Sequence, residues 1–264
     1  MRIHGREYQD NDLCALATDL ELIQSEGMTV TPLSRLVGVL RGGGNSSAEK
    51  RYVALSCDDG GDFDFHDLPH PVAGGQRSVL NILRDFKDRH AAASAHITSF
   101  VIVSPEARGE LDKTCMIGKG WWNDDWWQPA ISTGLMDIGN HSWDHNHDAL
   151  PAAFHVNGVQ RGTFSTISTR LLADSQIRVA AGYLKDRAPN PGDRLFAYPY
   201  GEANRYLVDE YFPAYASEIG IDAAFGDTPD YVSKESPIWD LPRFICARDW
   251  KSPAQLLAIL REAG

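Results

Sequence analysis

RYVALSCDDGGDFDFHD (51–67) is an apolar run that ends abruptly in acid. RYVALSC (51–57) has the length and β-branched, aromatic content of a buried strand, and the Gly60-Gly61 pair after Asp58-Asp59 reads as a turn. Outward from this stretch the same punctuation recurs. A helix is expected over 77–90 and a strand over 95–103. MDIG (136–139) reads as a short strand ending at Asn140-His141, followed by a long helix over 166–187. LFAY (195–198) is another strand, closed by Pro199-Tyr200-Gly201; a helix over 203–219, an extended AAF (223–225) and a late strand PRFIC (242–246) follow. SPAQLLAILREA closes the chain as a helix with Ser252 as N-cap ahead of Pro253. On the N-terminal side, 10–26 has helical spacing and Gly27 is placed to end it; Pro32 opens a second helix over 32–40; RGGGNSSAEK (41–50) has loop composition.

Strands that alternate with helices predict an α/β fold with parallel strands. Neither an internal repeat nor a change of composition divides the 264 residues, so one domain is expected over 1–264, with a core over about 51–250 and a helical N-terminal segment over about 10–40. The polar, reactive residues fall just after the expected strands, the end at which α/β barrels and open parallel sheets place their sites.

Composition narrows the partners. The formal net charge of -11 repels nucleic-acid phosphates and anionic lipid headgroups, so neither nucleic acid nor a membrane surface is an expected partner. The first twenty residues lack the apolar centre of a secretory leader, and no stretch reaches the apolar length that crosses a bilayer. A cytoplasmic location is the default expectation. Cys14, Cys57, Cys115 and Cys246 lack CxxC spacing, which predicts reduced and mostly buried thiols.

Two stretches carry possible chemistry. Asp58 and Asp59 are adjacent at a strand end, where successive side chains point apart. One can bind a metal while the other handles a proton; DDGG is equally a good acidic turn. In His141-Ser-Trp-Asp-His145, four-residue spacing places both imidazoles on one face of a helix, within reach of one metal ion. Nine histidines make one such pair unsurprising, and Ser142 in place of Glu excludes the HExxH arrangement.

The order of the motifs is more specific than any of them alone. LSCDDG (55–60), IGNHSWDH (138–145) and FAYPYGEAN (196–204) occur in sequence, each at a strand end, and TSFVI (98–102) lies between the first two. This set resembles the polysaccharide deacetylase family, also called the NodB homology domain or carbohydrate esterase family 4, over about residues 10–250. The resemblance implies a distorted (β/α) barrel with its site at the strand C-termini. It implies Asp59, His141 and His145 as metal ligands, Asp58 as the catalytic base, and Tyr200 as the residue whose backbone N–H helps bind the oxyanion. Two imidazoles and a carboxylate leave zinc an open position, and cobalt, nickel or iron suit the same donors.

Two positions depart from the family pattern. Ala197 stands where the family has an Arg that holds the base, and Arg243 in DLPRF (240–244) is the natural replacement, or else a surface Arg capping a strand. No His follows His155, whereas the family's last motif supplies a His as general acid; His66, His147 and His155 are the histidines left to substitute, Asp58 could return the proton itself, or the substrate could be an ester.

WWNDDWW (121–127) holds four tryptophans, and indoles stack on sugar faces, so Trp126 and Trp127, with Pro199 and Tyr200, are candidate substrate contacts; rings that merely seal a barrel mouth fit the same tract. Asp62, Asp64, His66 and His70 could line the site or be solvated loop residues. The expected activity is metal-dependent removal of acetyl from an N- or O-acetylated carbohydrate. The alternatives are the same chemistry on a small amide, imide or ester, or a carbohydrate-binding homologue impaired in catalysis.

Overall fold

The computed structural model describes residues 1–42 and 50–263, so most of the loop expected at 41–50 lies outside the described residues. Five parallel strands form a curled sheet, a half-barrel, in sequential order: β1 (Ser56–Asp59), β2 (Ile97–Val101), β3 (Met136–Asn140), β4 (Leu195–Ala197) and β5 (Ala223–Phe225). The α/β expectation and the barrel type implied by the resemblance are both met.

The register explains why chemistry gathers at one end. Asp59 lies opposite Val101, Val101 opposite Asn140, Asn140 opposite Phe196, and Ala197 opposite Phe225. The C-termini of neighbouring strands are therefore level, and the segments that follow Asp59, Asn140 and Ala197 leave the sheet side by side.

Helices cover the sheet. α1 (Asp12–Ser25) starts at Asn11, whose side chain accepts from the N–H groups of Leu13 and Cys14. α2 (Leu33–Leu40) follows Pro32. α3 (Val79–Arg89) is capped by Ser78 and buries Leu80, Leu83 and Phe86. α4 (Pro105–Cys115) is capped by Ser104, and α5 (Trp127–Ser132) buries Trp127. α6 is two α-helical pieces, Arg170–Ala173 and Val179–Arg187, joined by a π-turn over Asp174–Arg178. α7 likewise joins a π-turn, Leu207–Tyr211, to Phe212–Ile219. α8 (Pro253–Glu262) is capped by Ser252 as expected. Leu80, Leu83, Phe86, Ile138 and Leu184 belong to the largest apolar cluster, which lies between the sheet and these helices.

Four expectations need correction. RYVALSC is not one strand: Tyr52–Val53 pairs with Thr29–Val30 in a separate ladder, and only from Ser56 does the chain join the sheet. The helix expected from 166 starts at Arg170, because Thr169 takes the cap position and accepts from the Leu172 N–H. PRFIC is not a strand: Pro242 has no N–H to offer, contact with β5 is a single bridge from Leu241, and Ala247 turns left-handed at φ 68. Finally, Cys14, Cys57 and Cys246 are free but only half-buried, and Cys115 is exposed. Among the described residues no helix is long and apolar enough to cross a membrane.

Candidate active site

Asp59 ends β1 with φ 80, and Gly60 follows with φ 75. Two successive left-handed residues turn the chain sharply off the sheet, and only glycine fits the second. A Cβ on Gly60 would lie 2.4 Å from the Val101 side chain. The Asp59 carbonyl is held by two donors, the Ile102 N–H at 3.1 Å and the Trp122 indole N–H at 3.0 Å. This turn separates the two carboxylates, so Asp58 and Asp59 meet different partners.

Asp59 faces the histidines. Its Oδ1 lies 3.7 Å from His141 Nε2 and 3.8 Å from His145 Nε2, and the two rings are 4.8 Å apart between centroids. One ligand atom from each of the three lies within 4.8 Å of the others. Both imidazoles are buried. His141 Nδ1 lies 2.9 Å from the carbonyl of Ala197. A carbonyl only accepts, so Nδ1 carries a hydrogen and Nε2 is the ring nitrogen turned toward Asp59. Burial, then the neighbouring His141, drive His145 down to about 3, so its imidazole is neutral. Burial works to raise the Asp59 carboxyl, but the positive charge of the Met1 nitrogen at 3.8 Å brings it below the ordinary range. Two imidazole nitrogens and a carboxylate converging on one point form the donor set of a divalent metal, and the site fits one.

The histidine pair is not on a helix, contrary to the spacing argument. Ser142, His145 and Asn146 all have positive φ, at 68°, 61° and 46°. The loop holds itself together: the Ser142 N–H donates to Asn140 Oδ1 and the His145 N–H to Ser142 Oγ, each at 2.9 Å. The two rings meet because a tight loop doubles back.

Asp58 points to the other partner. Arg243 donates from both terminal nitrogens to its two oxygens, at 2.8 and 3.0 Å, while also reaching Ser56 Oγ and the Gly226 carbonyl. Burial works to raise Asp58, but Arg243, aided by His141, overcomes it and holds the carboxyl at about 2.

Tyr200 sits at the mouth, 38% exposed, with φ 60 and its ring 4.4 Å from that of His145; Pro199 beside it is buried. Trp126 and Trp127 are not at the mouth. They are 1% and 0% exposed, with Trp126 stacked on Phe65 and Trp127 beneath the Arg108 guanidinium. Completely buried indoles have no face to offer a sugar, so the substrate role read for them from sequence is wrong. The tryptophan that does bear on the site is Trp122, through the Asp59 carbonyl, and nothing in the tract distinguished it beforehand.

The acidic loop after Asp59 is structural in the same way. Asp62 accepts from Asn123, Asp64 is buried against Ser99 Oγ at 2.6 Å, and His70 Nδ1 accepts from the turn after it. Of the three spare histidines, His66 is exposed against Phe65 and His155 is tied to the Leu150 carbonyl. His147 alone abuts the cluster, its ring 5.6 Å from that of His145.

No family model and no curated protein matches the sequence. Solved structures do. IcaB from Ammonifex degensii superposes with a TM-score of 0.62 at 16% identity, over 99% of this chain and 93% of that one. A Streptococcus pyogenes deacetylase, PplD, seen in complex with acetate, gives 0.61 at 16% identity over 94% of this chain and 86% of its own. A polysaccharide deacetylase from Bacillus cereus gives 0.56 at 13% identity, over 88% of this chain but 56% of that longer one. With the curled parallel sheet and the level strand ends described above, these likenesses show that the chain has the polysaccharide deacetylase fold.

Proposed function

We propose that the protein is a metal-dependent hydrolase that removes acetyl groups from an acetylated carbohydrate. The observation that carries this reading is the division of labour between adjacent carboxylates: Asp59 with His141 and His145 on one side, and Asp58 gripped by Arg243 on the other. Asp59, His141 and His145 would hold the metal, zinc first, with cobalt, nickel or iron suited to the same donors. When bound there, a divalent metal polarises an acyl carbonyl and makes water a better nucleophile at neutral pH.

The chain's own residues supply the rest. Asp58 is ionised across the physiological range, so it is available as the acceptor for the proton of an attacking water. Arg243 fixes both oxygens of that carboxylate and so aims it. The backbone N–H of Tyr200, in its left-handed turn, would serve as a donor for the oxyanion. Its exposed ring offers an apolar face against which a sugar can pack. Buried Pro199 anchors the turn. His147, whose ring lies beside that of His145, would be the group to protonate a departing amine.

The test joins metal content to product. Purified wild type, metal-stripped protein and His141→Ala are assayed for zinc and for acetate release from N- and O-acetylated oligosaccharides. Wild type is expected to hold one metal and release acetate, and His141→Ala to do neither. Full metal occupancy in His141→Ala would refute the ligand assignment. A metal-loaded wild type that releases no acetate from either series would leave a small acylated molecule or a binding role as the better account.

A further inference from the structure

The two metal-facing imidazoles are held differently. His141 is fixed from behind by the Ala197 carbonyl. The buried Nδ1 of His145 has no hydrogen-bond partner among the described residues. Its ring packs against those of His141, His147 and Tyr200 and faces Asp59 at 3.8 Å. The aim of His145 is therefore set by its backbone, which is left-handed at His145 and again at Asn146, conformations that a free loop of non-glycine residues does not keep.

What holds that backbone lies in α6. The π-turn carries one residue more than an α-turn and opens the helical ladder there. It presents carbonyls to the histidine loop: Gln176 O accepts from the Trp143 N–H at 2.7 Å, and Ile177 O from Asn140 Nδ2 at 3.2 Å. The Gln176 side chain then clasps Asp144, its Nε2 donating to Oδ1 at 2.7 Å and its Oε1 accepting from the Asp144 N–H at 3.3 Å. Asp144 Oδ1 in turn accepts from the Asn146 N–H at 2.9 Å, and Oδ2 from Arg161 at 3.0 Å. The residues on both sides of His145 are thus tied, through one buried carboxylate, to Gln176.

We propose that Gln176 is a positioning residue for His145, and that the π-turn over Asp174–Arg178 fastens the metal-binding loop. The inference rests on the reading of Asp59, His141 and His145 as metal ligands. Gln176 lies outside the Asp59, His141 and His145 cluster; it acts through Asp144 on the backbone that aims His145. Partners of this kind typically change metal affinity by about 10–100-fold.

The experiment measures zinc affinity and stability separately. Metal-stripped wild type, Gln176→Met and Gln176→Glu are titrated with zinc against a chromophoric chelator, and the melting temperature of each stripped protein is recorded. Methionine keeps the buried volume without hydrogen bonds. Glutamate keeps the length but cannot donate to Asp144, and it serves if the methionine variant does not fold. The expected result is a zinc Kd raised about 10–100-fold, with a melting temperature within a few degrees of the stripped wild type. A Kd within twofold of wild type, whatever the melting temperature, would overturn the inference and leave the ligand reading intact. Failure of wild type to bind zinc would overturn both.

Discussion

Arg243 and Asp58, separated by 185 residues in sequence, form a two-pronged ion pair at 2.8 and 3.0 Å beneath the metal-facing cluster. Arg243 thus pairs with the carboxylate, as expected of a replacement for the Arg absent at position 197, from another element of the fold. Arg243→Met is expected to leave zinc binding in place and reduce acetate release by roughly 10–100-fold, since the base loses both its orientation and its counter-charge. The sign of the pH effect follows. A carboxyl held at about 2 is ionised at every working pH, and its contribution to stability is present above about pH 4 and lost as pH falls through 2. Without Arg243 the carboxyl rises, so the variant's deficit is greater at pH 5 than at pH 8. A pH–rate profile parallel to that of wild type would count against the pairing. Arg243→Lys restores charge but not the two-pronged grip, and is expected to fall between the two.

Asp58→Asn is expected to keep the metal and lose activity by about 10²–10⁴-fold. The substitution removes the proton acceptor, while Asp59 and the histidines are untouched. Metal analysis beside single-substrate kinetics checks this; near-wild-type turnover would remove Asp58 from the role of base.

His147 is the spare histidine that lies against the cluster, whereas His66 and His155 are turned elsewhere. His147→Ala is expected to slow N-acetyl substrates by at least about tenfold and O-acetyl substrates much less, because an amine must be protonated to depart and an alkoxide needs this less. His66→Ala and His155→Ala are expected to behave as wild type on both. Equal losses on amide and ester in His147→Ala would point to a packing role, and Asp58 would then have to return its own proton.

Asp19 offers a test of stability away from the metal cluster. It is buried in α1 between the Tyr8 hydroxyl at 2.6 Å and the Trp250 indole N–H at 3.2 Å, and burial pushes its carboxyl up to about 6. A carboxyl raised on folding favours the folded state below the unfolded value near 4. The advantage is lost as pH rises from 4 to 6, and the resulting penalty at neutral pH is on the order of 2–3 kcal/mol. Asp19→Asn is expected to flatten this part of the stability curve, so that the melting temperature falls less between pH 4 and pH 7 than in wild type. Denaturation of both proteins across that range is the measurement, and superimposable curves would exclude Asp19 as their source.

The sequence by itself determined what short-range chemistry controls. Strand and helix order follows from apolar period and punctuation; the cap at Ser252 and the left-handed turn at Gly60 follow from residue type. The ordered DDG, HSWDH and YPYG stretches were legible because each lies within a few residues at a strand end. What only the tertiary structure decided is which distant groups meet. No local preference links Arg243 to Asp58, Gln176 to Asp144 or the Trp122 indole to the Asp59 carbonyl. Strand register and helix packing make those pairings. The tryptophan tract failed as a guide for the same reason: Trp122 and Trp126 are identical in type and four apart, and only the packing of Phe65, Arg108 and Tyr183 around α5 consigns Trp126 and Trp127 to the core. The histidine pair shows the limit from the other side. The two rings do meet, but not on a helix face, because buried side-chain and backbone partners outweigh helical propensity and fold those five residues into a loop.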